Sequence, residues 1–95
     1  MTRKPRAHRA TRTEIVNMIN GTDGKICTVT FTKTDGEERV MNCRTQGSTT
    51  ELGYILVTDM QVRKSKKNPN PNRTKSVDPR TITEFAFQGK RWKVS

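Results

Sequence analysis

From Lys25 to Arg44 the chain alternates with a period of two. Cys27, Val29 and Phe31 fall on one side, and Thr28, Thr30 and Thr32 on the other. Such alternation, rich in β-branched and aromatic residues, describes a half-buried strand. Thr34-Asp35-Gly36 separates it from a second run, Glu37 to Arg44, and Asp-Gly between two such runs is the strongest short-range hairpin signal. A three-residue loop with Gly36 in the left-handed conformation, which only glycine adopts cheaply, sets Lys33 against Glu37, Val29 against Met41 and Cys27 against Cys43. A two-residue type I′ loop instead puts Val29 opposite Asn42 and Cys27 opposite Arg44. The first register joins an opposite-charge pair and an apolar pair, so it is the expected one. The hairpin predicts a small β protein whose helix and last strands pack on the Cys27–Val29–Phe31 side, with the threonines as solvated exterior.

Composition limits how much can be built around it. The chain has 95 residues, of which 29% are hydrophobic, and a mean hydropathy of -0.90. That supports a folded part of roughly 60–70 residues. The net charge is +10 and the pI about 10.3. Self-repulsion of this size makes a polyanionic partner the economical explanation: nucleic acid first, an acidic protein surface second, anionic lipid third. No apolar run approaches the ~18 residues of a membrane span, and the N-terminus lacks the apolar core of a signal peptide. A soluble, intracellular protein with no membrane partner is expected. One histidine and two cysteines without a CxxC spacing make neither a metal site nor a cofactor site. Cys27 and Cys43 are expected to be buried thiols, although their opposition makes a disulfide conceivable.

Residues 1–12 carry Arg3, Lys4, Arg6, Arg9 and Arg12 with no acid, and are expected to form a disordered basic arm before a single domain over 13–95. Thr11-Arg12-Thr13-Glu14 fits a capping box, with Thr13 a competing cap. The helix that follows runs to about Asn20, presents Ile15, Met18 and Ile19 on one face and stops at Asn20-Gly21. A polar stretch with two glycines, Thr45 to Gly53, reads as a loop. Tyr54 to Val62 reads as a strand with apolar residues on both sides. Residues 63–75 then hold Arg63, Lys64, Lys66, Lys67, Arg73 and Lys75 around Asn68-Pro69-Asn70-Pro71-Asn72. The prolines forbid helix or central strand, so this is a basic finger, longer than an ordinary connection. Ser76-Val77 is at most a short strand. Asp78-Pro79-Arg80 reads as one helical turn with Asp78 as cap, and strands follow at Ile82–Phe87 and Arg91–Val94.

About five short strands, with one helical turn before the last ones, predict a mainly β chain: an SH3-like (Sm-like) barrel with a short N-terminal helix. The residues from Thr28 to Arg44 also resemble a family. They read Thr28-Val29-Thr30-Phe31, a Lys33-Thr34-Asp35-Gly36 turn, then Arg39-Val40-Met41-Asn42. This is similar to the small Sm-like, SH3-type β-barrel proteins of tailed bacteriophages, which borrow their label from the WYL domain. Val57-Thr58-Asp59 resembles that family's Val-x-Asp strand, and Arg80-Thr81-Ile82 through Gly89-Lys90-Arg91-Trp92 its closing segment. The similarity covers about residues 25–62 and 76–94; the basic arm and the Asn/Pro finger depart from it. It implies a fold, a phage origin and hence the host cell cytoplasm, but no particular activity.

The sequence offers little for catalysis. His8, the sole histidine, sits in the arm, and no phosphate-binding glycine loop, carboxylate pair or nucleophile–base set assembles. Asp59 and Asp78 read as solvated carboxylates or caps. A non-enzyme is expected, and the two basic segments carry the functional reading. Arg3, Lys4, Arg6, Arg9, Arg12, Arg63, Lys64, Lys66, Lys67, Arg73, Lys75, Arg91 and Trp92 are the candidate nucleic-acid contacts, DNA or RNA, made mainly to phosphates. Tyr54, Phe87 and Trp92 are candidates for stacking on bases, each competing with a place in the core. Two rivals stand beside this reading. One is an accessory protein that docks on an acidic surface of a host transcription or defence enzyme, by charge or by strand addition. The other is a structural or ribosome-associated RNA-binding subunit.

Overall fold

The computed structural model describes residues 7–94. In chain order these form β1 (Ala7–Ala10), α1 (Arg12–Asn20), β2 (Cys27–Thr32), β3 (Glu38–Thr49), β4 (Ile55–Asp59), β5 (Thr74–Val77), a 3₁₀ turn (Pro79–Thr81), β6 (Ile82–Phe87) and β7 (Lys90–Val94). The described part of the chain is thus mainly β, with one helix. The strands make one sheet in the order β1-β7-β6-β2-β3-β4-β5. Only the β1–β7 pair is parallel.

The central hairpin adopts the register that its charges favour. The Lys33 amide donates to the Glu37 carbonyl at 2.7 Å and the Gly36 amide to the Lys33 carbonyl at 2.9 Å, with Gly36 at φ +87°. Val29 therefore faces Met41 and Cys27 faces Cys43. Both cysteines are free and buried. Their mutual hydrogen bond and their burial push the Cys43 thiol far above its ordinary range, so it keeps its proton at neutral pH.

The helix begins where the capping box puts it. The Glu14 amide donates to the Thr11 hydroxyl at 3.2 Å, and the Thr11 amide to the Glu14 carboxylate at 3.1 Å. It ends at Gly21, whose amide donates to the Asn17 carbonyl. Nine residues are too few to hold a helix in water. Ile15 and Ile19, both fully buried, fix it to the sheet. They meet Val29, Met41, Ile55, Ile82 and Phe85, which point from the strands into the same core. The helix is far too short to cross a membrane.

Four features depart from the sequence reading. The sheet has seven strands, not about five, and it is open, not a closed barrel. Secondly, the distal part of the basic arm is ordered: Ala7–Ala10 pair in register with Arg91–Val94. Ala10 is 4% exposed and belongs to the core, a burial that a count of charges does not reveal. Thirdly, β3 continues to Thr49 past the expected end at Arg44. Its polar end is carried by pairing with β4 across an irregularity between Thr45 and Thr49, where Gly47 takes φ +74°. Lastly, β2 lies between β3 and β6, so its threonine face is partly covered. Thr30, flanked by Val40 and Glu84, is buried.

Candidate nucleic-acid interface

The finger leaves the sheet after β4 and returns into β5, and Asp59 closes its neck. The Asp59 side chain is fully buried, and one of its oxygens accepts from the Arg39 guanidinium at 2.7 Å. The other accepts from the Gln61 amide at 2.9 Å. The Asp59 amide itself donates to the Arg73 carbonyl at 2.7 Å, and the Met60 amide to the Asn42 carbonyl at 2.9 Å. One residue thus binds both sides of the loop's base and the neighbouring strand. Its carboxylate is neither solvated nor a cap alone: it caps Gln61 and also makes a buried ion pair.

Beyond the neck the chain is held by local polar contacts. The Ser65 amide donates to the Asn68 carbonyl, the Asn68 amide to the Ser65 hydroxyl, and the Thr74 amide to the Asn72 side chain. Arg63, Lys64, Lys66, Lys67 and Arg73 are all exposed, as is Lys75 on β5. Among the described residues none of the six has an ion-pair partner. No carboxylate occurs between Asp59 and Asp78. Cations so placed are free to meet an anionic ligand without first giving up a protein partner.

The other predicted cations divide. Arg3, Lys4 and Arg6 lie outside the described residues. Arg9 on β1 stands beside Lys93 on β7, on the sheet face opposite the helix. Like charges in register repel, and Glu84 on β6, the partner of Lys93 on the far side, offsets only part of this. The Glu84 carboxylate is itself engaged by Arg91. Arg12 is exposed at the first position of α1. Arg44, which the sequence reading did not single out, lies on the same outer face beside Thr58. The signal for it was available: it follows Asn42 by two in the alternation of β3.

Arg91, Trp92 and Lys93 do not form one site. Alternation sends Trp92 to the inner face and its neighbours to the outer one. There Trp92 joins a row of rings, 5.6 Å from Phe85 and 6.1 Å from His8, with Phe85 in turn 6.3 Å from Phe87 (centroid distances). Phe85 is buried, Trp92 and Phe87 half-buried, and His8 exposed. Beside the row opens a groove of about 380 Å³ lined by Met18, Gly21, Phe85, Phe87, Gln88, Lys90 and Trp92. Tyr54 is elsewhere, half-buried ahead of β4. His8 entered this row unforeseen, because its strand has no signal of its own.

Residues 7–10 of the arm and the finger therefore sit at opposite edges of the sheet. β1 is one edge strand, and β5, into which the finger leads, is the other. No protein-family model, curated protein or solved structure matches this chain.

Proposed function

We propose that this is a non-enzymatic nucleic-acid-binding protein that grips phosphates with its basic finger. Arg9, Lys93 and Arg44 extend the contact across the outer face, and Arg12 adds a cation at the start of the helix. The observation that carries the reading is the finger and the strand it leads into: six exposed cations, five on the loop and Lys75 on β5, without an ion-pair partner among the described residues, on a loop whose neck is fixed by a buried carboxylate. Phosphate contact needs no base-reading motif, and none is visible in the sequence; the binding is then mainly independent of base order. The five strands β6-β2-β3-β4-β5, with a 3₁₀ turn ahead of β6, suit the SH3-like, Sm-like core suggested by the sequence resemblance. On that reading the chain is a small bacteriophage protein acting in the host cytoplasm without cofactor or metal.

Binding to labelled random-sequence DNA and RNA across a salt series tests this. Neutralising about six phosphates gives a slope near −5 in log K against log salt. Reversing Lys64, Lys66 and Lys67 to Glu should flatten that slope by about 3 and weaken binding. Absence of binding at low salt, or affinity indifferent to salt, would reject the proposal.

One observation favours a second reading, docking on an acidic host protein. The short edge strand β5 adjoins the finger and offers an edge for strand addition. Recovery from infected cells with and without nuclease separates the two. A stoichiometric protein partner that survives nuclease supports docking; loss of everything co-eluting supports nucleic acid.

A further inference from the structure

We infer that the groove between the end of α1 and the β6–β7 turn takes an unpaired nucleobase, which makes single strands the preferred ligand. The inference rests on the nucleic-acid reading above and adds a base site to its phosphate contacts. Three observations converge. Trp92 and Phe87 offer half-buried ring surface beside an open groove of about 380 Å³. That lies within the range of small-ligand sites. Their rings are held by Phe85, itself 1% exposed, so they are pre-positioned. Lys90 lines the groove and no carboxylate does; Arg9, Arg91 and Lys93, with Glu84, stand on the opposite face of the sheet and take no part in it. An aromatic floor with a lysine at its edge suits a base whose phosphate leaves over Lys90. A duplex keeps its bases stacked on one another and cannot place one here without unpairing it. Met18 lines the same groove, and the exposed His8 ring lies 6.1 Å from Trp92 at the end of the row.

The chain carries its own reporter, since Trp92 is its only tryptophan. The full chain is titrated at low salt with a 12-nucleotide oligo-dT and with a hairpin duplex of equal phosphate number. Trp92 emission is followed beside the anisotropy of the labelled nucleic acid. Single strand should quench Trp92 and duplex should not. Trp92→Leu should weaken the single strand about 5- to 150-fold, the span of one stacked base, and leave duplex affinity within about twofold. Lys90→Glu, at an exposed position that opens β7, repeats the single-strand loss should Trp92→Leu not fold. Binding of oligo-dT with Trp92 emission unchanged, or equal losses for both ligands, overturns the base site and leaves the phosphate reading standing. No binding of either ligand at low salt overturns both.

Discussion

Asp59 shows how much one side chain decides. A carboxylate with no exposed surface is costly unless its oxygens are all answered, and here a guanidinium and an amide answer them. Removing the guanidinium leaves the charge uncompensated. Arg39→Ala is therefore expected to cost about 3 kcal/mol, near the low end for breaking a buried pair because Arg39 is partly exposed and water can reach it; chemical denaturation measures this. The same variant should speed amide exchange at Gln61 and Asp59, since the finger's neck depends on that carboxylate. Asp78 behaves differently. Hydrogen bonds from the Arg80 side chain and amide hold its carboxyl below the ordinary range. Its contribution to stability is complete above about pH 4 and is lost as pH falls through the lowered value. Carbon-detected titration should place Asp78 below about 3.9, and Arg80→Ala should bring it back up.

At the scale of elements, what could be read from the sequence was local. The Asp35-Gly36 turn, the Thr11–Glu14 capping box and the Asp78-Pro79 turn each have their determinants within four residues. Each formed as expected, and the hairpin turn carried the Cys27–Cys43 register with it. Strand β1 has no such determinants. Its four residues hold two alanines, a histidine and an arginine, and its partner lies more than eighty positions away. The end of β3 failed for the same reason, its polar residues being held by β4 and not by their own alternation. Deleting residues 1–10 is accordingly expected to destabilise the fold by about 2–4 kcal/mol, from lost ladder hydrogen bonds and the buried Ala10; thermal unfolding of the truncated chain measures it. The basic finger was legible because prolines and unbroken positive charge are local signals. That its neck is clamped was not, for Arg39 and Asp59 are twenty residues apart.

For the whole molecule, the placement of charge matters more than its amount. Six strand spacings of about 4.8 Å put β1 at most about 29 Å from β5. A ligand that engages both edges must span that distance, about eight base pairs of duplex at 3.4 Å each. Affinity measured over a series of duplex lengths should rise steeply near that length, then level off. The cysteines report on the same whole. With Cys27 and Cys43 both buried and Cys43 strongly protonated, a thiol reagent should modify them only as fast as the sheet opens. Modification rate against denaturant measures that opening without altering any of the exposed cations.

The parallel pairing of β1 with β7 also sets an order of events during synthesis. Strand β1 leaves the ribosome long before β7 and has no partner until β7 has been made. At roughly 5–20 residues per second, the intervening chain keeps it waiting for several seconds. Throughout that time the hairpin of β2 and β3 can form by itself, being joined by a short loop, whereas β1 must close a long one. Strand β1, with Arg9 on it, therefore stands exposed beside ribosomal RNA before the sheet that will anchor it exists.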